Sequence, residues 1–410
     1  MSETRIERDS LGEIALPASA LYGIQTARAV VNLSFSGKTL ARYPGLLRGL
    51  VFVKKAAAEA NGSAGVIDSS IGQAIGAACD TLLNGEHVDQ FPVDVLGGGG
   101  WIGLNANVNE VLANLANESC GGARGSYQPV HPKRHVNASQ STADVCHTAI
   151  RLAVVEDAAD LLHALEACSA ACAAKGVELR DVQTLARTCL QDALPVSLGA
   201  TFGAHAAVLG RRTTELARSV STLEHINLGG TVIGSGAGAA LAYRDAVLAK
   251  LNALTGRQLA LRADLYDAAQ HIDDLVAVSS QLALLAEAFI KIAQDLRLLA
   301  SGPAGGFGEI RLPATQEGSS FFAGKINPVV PETLLQCCFQ VIGCDRAAHI
   351  ALERGEPNLN VFEGVAGINV LDAMHMLTRA VRLFTERCVK GIVANAERCG
   401  ELAALVEMRK

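Results

Sequence analysis

Apolar residues recur at three- and four-residue steps through much of the second half of this chain. The clearest case covers residues 282–300, and Gly302-Pro303 ends it. Its apolar side consists of Leu285, Phe289, Ile292, Leu296 and Leu299. The same spacing predicts further helices over residues 148–174, 206–226, 242–254, 332–351 and 370–394. Long amphipathic helices cannot bury their apolar sides alone, so the pattern predicts a helical bundle, which we assign to residues 134–395.

The first third of the chain has a more broken pattern. Prolines and a run of four glycines at residues 97–100 interrupt it, and we assign residues 1–133 to a mixed N-terminal domain. Aromatic residues make up only 4% of the chain, while Ala and Leu are abundant. That composition favours helix over sheet, so the predicted fold class is mainly α.

Composition and charge exclude several classes of protein. The net charge of −6 is spread over 410 residues without a basic block, which argues against a nucleic-acid-binding protein. The first eight residues are polar and charged, and no apolar run reaches the roughly 18 residues that span a membrane, so we expect a cytoplasmic protein. The eleven cysteines include no CxxC pair, which favours buried thiols over disulfides or a metal site.

Candidate chemistry is concentrated in a Gly- and Ser-rich segment between predicted helices. Ser319 and Ser320 carry hydroxyls close in sequence to the ammonium of Lys325 and the amide of Asn327. These groups together suit a substrate with a carboxylate. An ordinary Ser/Gly connection with a solvated lysine is the alternative interpretation of these residues alone.

A resemblance to a known family narrows this choice. Residues 318–328 read GSSFFAGKINP, which resembles the signature GSSxMPxKxNP of the aspartase/fumarase superfamily, with Phe322-Ala323 in place of Met-Pro. Further segments in family order are similar to the aspartase branch: residues 5–12, 22–23, 135–142, 190–193 and 227–231. The resemblance implies a helical homotetramer without metal or organic cofactor, whose active sites combine segments of three subunits. It also implies a small C4 dicarboxylate substrate and fumarate as the product.

The resemblance implies roles for individual residues. Ser319 would remove the proton from the carbon beside one carboxylate, and Ser320 would help to stabilise the resulting dianion. The first carboxylate would be held by Ser141, Thr142 and Thr188, and the second by Lys325 and Asn327. His135 and Glu332 match family positions near the site and are expected to support it.

Three departures from the aspartase pattern affect the leaving group. Aspartases surround the substrate's amino group with a threonine, an asparagine and a histidine, where this chain has Ile102, Ala143 and Cys189. Losing several polar partners around a buried ammonium would cost several kcal/mol. We therefore expect an anti β-elimination, or its reverse addition, on a 2-substituted succinate. Its leaving group would be something other than simple ammonia: a substituted amine, a nitro group or a thiol. Aspartate ammonia-lyase proper and a catalytically inactive homologue are the alternatives.

Three further expectations follow from the resemblance. Cys189 is either a buried, inert thiol, a nucleophile, or, together with Glu332, a replacement for the family's His–Glu proton relay. Trp101 departs from the family pattern and is expected to cap or reshape the pocket. Aspartases continue into a further small helical domain, so residues 396–410 are expected to be the remnant of a truncated or missing C-terminal domain.

Overall fold

The structure, a computed structural model, describes residues 3–407. Helices account for 62% of the chain, which confirms the predicted mainly-α class. Met1 and Ser2 of the polar N-terminus, and the last three residues of the predicted segment 396–410, lie outside the described residues.

Twelve α-helices lie within residues 3–407. They are α1 Ile24–Leu33, α2 Pro44–Ser63, α3 Ser69–Leu83, α4 Ile102–Ser119, α5 Thr142–Glu178, α6 Leu198–Ser221, α7 Leu241–Thr255, α8 Leu265–Gln270, α9 Asp273–Leu299, α10 Val329–Glu353, α11 Glu363–Arg387 and α12 Ala396–Glu407. Short helical turns add Leu40–Arg42, Val88–Gln90, Pro132–Val136, Thr222–Glu224 and Val389–Gly391.

The strands are short and form two-stranded pairs. Three pairs are antiparallel: β1 Thr4–Asp9 with β2 Gly12–Pro17, β3 Gln183–Thr188 with β4 Gln191–Ser197, and β7 Ile310–Arg311 with β8 Val393–Ala394. The pair β5 His225–Ile226 and β6 Ala260–Leu261 is parallel. These pairs join segments between helices, and the fold depends on helix packing.

The predicted helices correspond to α5, α6, α7, α9, α10 and α11, with differences at their ends. The predicted segment 370–394 is wrong at its end, because α11 stops at Arg387. A short turn over Val389–Gly391 and strand β8 follow. The apolar residues of this stretch, such as Ile392, are buried in a turn rather than on a helix, which periodicity does not distinguish.

One compact unit comprises Met1–Glu156, Val220–Val276 and Ala347–Leu371. Its core includes fully buried side chains of α2, α4 and the first turns of α5, among them Leu50, Val111 and Ile150. Gly49 lets two of these helices approach closely, since a Cβ there would lie 2.6 Å from the carbonyl oxygen of Ala149.

The other compact unit comprises Asp157–Ser219, Ala277–Arg346 and Asp372–Lys410. Phe289 of α9 and Phe384 of α11 meet edge to face in its core, with ring centroids 6.3 Å apart. Cys168 and Cys172, one turn apart on α5, are buried free thiols, as the sequence predicts for them. The predicted domain boundaries at residues 133 and 395 stay predictions.

Helix α9 has the length and the apolar composition that a membrane span would need. However, 56% of its most apolar stretch is buried inside the protein. Phe289, Ile292 and Leu296 are among its buried residues, a pattern that the core helix of a soluble protein also has.

Candidate active site

Three helices begin at the wall of one cavity of about 410 Å³ in the first unit. The residues concerned are Ile102 of α4, Thr142 of α5 and Glu363 of α11, each the first residue of its helix. The first turn of a helix has unpaired N–H groups and a partial positive charge. The starts of α4 and α5 favour a bound anion, and the hydroxyls of Ser141 and Thr142 line the same space. At the start of α11, the carboxylate of Glu363 lies at the wall.

The rest of the wall is largely apolar. Ile102 and Ala143, two of the three residues that depart from the aspartase pattern, lie here together with Ser141 and Thr142. Additional apolar lining comes from Trp101, Cys146, Val232, Leu359 and Val361. Ile102 and Ala143 therefore line the same cavity as Ser141 and Thr142, the pair that is expected to bind a carboxylate.

Trp101 occupies its position under conformational constraint. Its backbone has a φ of 66°, in the left-handed region that a bulky residue seldom adopts, and its side chain is buried. The indole N–H donates to the carbonyl of Val95 at 2.7 Å. Gly364 makes room for the ring, because a Cβ there would lie 2.5 Å from the indole Nε1. The expected reshaping of the pocket by Trp101 thus depends on a second residue.

A buried polar hub holds the hydroxyl of Thr142. Asn105 donates from Nδ2 to Thr142 Oγ1 at 3.0 Å and to Asn137 Oδ1 at 3.1 Å. The same Asn137 oxygen accepts from Asn109 at 3.2 Å and from the ammonium of Lys54 at 2.9 Å. Burial lowers the pKa of Lys54 to about 7, although Cys146 and Asp144 oppose this. Lys54, Asn105 and Asn109 are residues that the sequence analysis missed.

Asp144 fixes the start of α5. Its carboxylate is fully buried and accepts backbone N–H bonds from Ser141 at 2.9 Å, Gly229 at 3.0 Å and Thr231 at 3.2 Å. Burial raises the pKa of Asp144, and these donors counteract that effect only in part. The contacts explain why the segment 227–231 matters: it supplies N–H groups that position the helix carrying Ser141 and Thr142.

Behind the cavity lies a buried ionic cluster that the sequence did not reveal. Arg151 pairs with Asp274 at 2.8 Å and also with Glu363, whose Oε1 lies 3.0 Å from Nδ1 of His147. Burial would raise the pKa of Asp274, but Arg151, His147 and Arg262 outweigh it and lower that pKa to about 2. The cluster keeps Glu363, which lines the cavity, in a fixed position.

His135 takes part in a basic turn rather than in the cavity wall. Its Nδ1 accepts the backbone N–H of His131 at 3.0 Å. Burial, followed by the charge of Arg134, lowers the pKa of His135. This turn leads directly into Asn137, so His135 supports the polar hub through the backbone.

In the second unit, Thr188 and Cys189 lie at the tip of a hairpin. Strands β3 and β4 are joined by the two residues Cys189 and Leu190, with φ values of 52° and 59°, and Thr188 and Cys189 are exposed. Two residues with positive φ form the turn that suits a two-residue hairpin, yet neither is glycine. The expectation of a buried thiol is therefore wrong for Cys189. Backbone strain of this kind is typical of functional sites.

The base of this hairpin is firmly held. Arg187 donates to Glu309 at 2.6 Å and stacks over Phe307 at 4.0 Å, while Thr184 donates to the same carboxylate at 2.5 Å. Glu332 pairs instead with Arg297 at 3.3 Å. With Arg187 bound to Glu309, the nucleophile interpretation of Cys189 gains no support from a neighbouring cation.

The loop 318–327 is closed on itself by two hydrogen bonds. Gly318 donates its N–H to the carbonyl of Lys325 at 2.8 Å, and Asn327 donates its amide to the carbonyl of Gly318 at 2.6 Å. Ser320 and Lys325 are exposed. Inside the loop, Ser319 Oγ accepts two further hydrogen bonds from backbone N–H groups.

Two backbone N–H groups point at the hydroxyl oxygen of Ser319. They belong to Phe321 and Phe322, at 3.0 and 2.9 Å. Donors directed at this oxygen would stabilise an alkoxide more than a neutral hydroxyl. The two phenylalanine rings meet edge to face at 4.8 Å and are 85% and 61% exposed, so they are available to contact another surface.

Comparison with known proteins decides the family. A family model described as Lyase matches residues 12–343. Aspartate ammonia-lyase of Pseudomonas aeruginosa is 43% identical over 98% of this chain and 85% of its own length. The aspartate ammonia-lyase of Escherichia coli is 42% identical over 96% of this chain and 83% of its own length. The chain belongs to the aspartase/fumarase superfamily. It is a carbon–nitrogen lyase of that superfamily.

Solved structures of the superfamily agree with this fold. A fumarate lyase:delta crystallin from Brucella melitensis in native form superposes with a TM-score of 0.93, is 45% identical, and covers 98% of this chain and 88% of its own. The class II fumarase from Schistosoma mansoni gives a TM-score of 0.94 at 30% identity, covering 98% and 87%.

The predicted truncation of a C-terminal domain is not supported. The matches extend over nearly the whole chain, and residues 396–407 form α12 as part of the second unit. Leu402 of α12 packs with Leu185 of β3 in a buried cluster. This segment is thus a helix packed within the second unit.

Proposed function

We propose that this protein catalyses anti β-elimination from a 2-substituted succinate, giving fumarate and releasing a group other than simple ammonia. The observation that carries the proposal is the cavity that joins the hydroxyls of Ser141 and Thr142 to an apolar wall containing Ile102 and Ala143. One part of this wall suits a carboxylate, and the other suits an apolar substituent.

The proton would be removed by Ser319. As an alkoxide stabilised by the N–H groups of Phe321 and Phe322, its Oγ takes the proton from the carbon beside one carboxylate. The electron pair left on carbon is first delocalised into that carboxylate, which becomes a dianion. It then forms the double bond as the bond to the leaving group breaks, and the leaving group departs with the bonding electrons.

The two carboxylates would be held by different segments. Ser141 and Thr142, at the start of α5, bind the carboxylate beside the acidic carbon, with Thr188 as a further donor. Lys325 and Asn327 bind the other carboxylate, and Ser320 supports the dianion. We propose that the three segments come from three protomers of a homotetramer in the cytoplasm, as in the family resemblance.

The leaving group distinguishes this proposal from aspartate cleavage. An ammonium departs from a pocket that must match its hydrogen bonds and charge, and each buried group left unsatisfied costs about 1–3 kcal/mol. Ile102 and Ala143 offer no such partners, and Cys189 offers a weak one. A substituted amine, a nitro group or a thiol would replace these lost contacts with apolar ones.

Aspartate itself is the second candidate, favoured by a specific finding. The curated relatives at 41–43% identity are named aspartate ammonia-lyase. In that case, the ammonium would be bound without the aspartase threonine and asparagine, by remaining polar groups of the cavity such as Asn360 and Glu363. A catalytically inactive homologue is the third possibility that the same experiment addresses.

The test measures fumarate formation from aspartate and from succinates that carry substituted amines, a nitro group or a thiol. The wild-type protein is compared with Ser319→Ala and with Ser10→Ala, a matched change at an exposed serine of the first hairpin. We expect Ser319→Ala to lose at least about 100-fold in turnover and the control to keep its rate. Equal rates for all three proteins would rule out elimination by Ser319.

A second arm restores the aspartase residues. The triple variant Ile102→Thr, Ala143→Asn and Cys189→His is expected to gain turnover of aspartate and lose turnover of bulkier compounds. Wild-type turnover of aspartate that exceeds every substituted compound would instead establish the second candidate.

A further inference from the structure

We propose that the leaving group is a substituted amine with a flat apolar substituent, which packs on the indole of Trp101, while its ammonium faces the carboxylate of Glu363. This inference rests on the proposed function, since it names the class of leaving group for the same site. It assigns specificity to two residues that the family signature does not include.

The cavity has space for a group larger than ammonium. A volume of about 410 Å³ lies in the range of pockets for molecules much larger than aspartate, about 300–1,000 Å³. Trp101, Ile102 and Ala143 present apolar surface to it. Water in such a pocket gains little from the wall, so a ligand that fills it with apolar atoms gains from their burial.

Trp101 is held at the cavity wall under conformational constraint. A tryptophan at a φ of 66° is strained, and the ring additionally requires that residue 364 be glycine. Both features are needed to hold the indole at the cavity wall. A pocket that had to accommodate only a small ammonium would not need either of them.

The cavity wall also carries a negative charge. Glu363 is the only residue with a formal charge among the described residues that line this cavity. Burial would raise its pKa, but His147 and Arg151 outweigh burial and lower it, so the carboxylate is ionised. Both neighbours contact Oε1, and the proposed ammonium would bind at Oε2.

Charge and ring together discriminate among the leaving groups considered. Nitrite and thiolate depart as anions, and the carboxylate of Glu363, already paired with Arg151, has no hydrogen-bond donor to offer them. A substituted ammonium is attracted by that carboxylate, and an indole face attracts cations as well. Glu363 and Gly364 are adjacent in sequence, so the carboxylate and the ring that packs on Gly364 flank the same part of the wall.

The experiment compares kcat/KM for N-benzylaspartate, N-methylaspartate, aspartate and 2-mercaptosuccinate, followed by fumarate absorbance. It uses the wild type, Trp101→Gly, Trp101→Phe, and Phe35→Ala as a matched loss of an exposed aromatic side chain. Glycine suits the positive φ at residue 101, so this variant is expected to fold. We expect N-benzylaspartate to be the best substrate of the wild type. Its preference over aspartate should fall about tenfold in Trp101→Gly and recover in part in Trp101→Phe.

A second readout does not require turnover. Trp101 is the only tryptophan of the chain, so its fluorescence reports on this cavity alone. The unreactive analogue 2-benzylsuccinate should change the emission at lower concentration than succinate does, and Glu363→Gln should weaken binding of amine-containing analogues selectively.

Three outcomes overturn the inference. They are a wild-type preference for aspartate or mercaptosuccinate, an equal loss for all substrates in Trp101→Gly, and an emission that does not respond to 2-benzylsuccinate. Fumarate from 2-mercaptosuccinate but not from substituted amines contradicts this inference alone. Fumarate from aspartate alone favours the second candidate and contradicts the proposed function too. Absence of fumarate from every compound contradicts the proposed function as well.

Discussion

Replacing Asn137 by alanine should destabilise the first unit severely. Its Oδ1 accepts hydrogen bonds from Lys54, Asn105 and Asn109, and its Nδ2 donates to the carbonyl of Gln140 at 3.1 Å. A neutral hydrogen bond contributes about 1 kcal/mol and one to a charged group about 1.5–3 kcal/mol. Asn105 keeps its contact with Thr142, so the expected loss is about 3–5 kcal/mol rather than the full sum.

The assay is denaturant-induced unfolding at one fixed protein concentration, followed by circular dichroism. Asn369→Ala is the matched control, because that amide makes one hydrogen bond, to the carbonyl of Val365 at 2.8 Å within α11. We expect the control to lose about 1 kcal/mol. A loss in Asn137→Ala no larger than in Asn369→Ala would refute the view that Asn137 organises the hub. In the folded fraction, KM should rise, since Asn105 would hold the Thr142 hydroxyl less firmly.

Three further predictions concern stability. Burial lowers the pKa of His205 from 6.5 to about 4, with Asp295 opposing it, so the unfolded chain binds the proton first. The contribution of His205 to the unfolding free energy should therefore be complete above pH 6.5 and fall by about 3 kcal/mol as the pH drops towards 4. Unfolding experiments at several pH values should show that His205→Gln loses this dependence. An unchanged pH profile in that variant would contradict the assignment. Leu190→Gly should raise the unfolding free energy by about 1 kcal/mol, because glycine suits the positive φ in the hairpin turn. A lower unfolding free energy would show that contacts of the leucine side chain contribute more than the strain of its backbone costs. Gly364→Ala should cost about 1–3 kcal/mol and shift the Trp101 emission to the red, since the added Cβ displaces the ring; an unchanged spectrum would mean that the backbone accommodates it.

Hydrophobic periodicity predicts six of the twelve α-helices in the described residues, and it predicts the ends of those six poorly. The helix around Leu285 and Leu296 is long, one-sided and bounded by Gly302-Pro303, so local physics determines it. The end of α11 depends on tertiary burial of residues such as Ile392, which apolar spacing alone represents as more helix.

The candidate site likewise contains residues that the sequence groups correctly and residues that only the fold reveals. The grouping of Ile102, Ala143, Ser141 and Thr142 follows from segments that a family signature orders along the chain. Lys54 lies in an alanine-rich helix, where a lysine is ordinarily solvated, and only the fold reveals that it is fully buried.

Glu363 and Arg151 form a buried ion pair although they are 212 positions apart in the sequence. Their pairing cannot be deduced from local composition, because charged residues at helix positions are normally interpreted as an exposed side. The unusual position of Trp101 can be recognised in part from the sequence, because it departs from the family pattern. The fold alone shows that Gly364 makes room for the ring.

The convergence of α4, α5 and α11 on one cavity has a consequence for how this protein could diversify. Each helix start contributes roughly half an elementary charge from the backbone, and this charge has no side chain to substitute and no proton to titrate. Within a cavity it is also screened far less by dissolved ions than a surface lysine would be. Affinity for an anion can therefore persist across ionic strengths and sequence changes. Natural variation is then free to exchange residues such as Ile102 and Ala143 and to alter the departing group without losing the substrate's carboxylate.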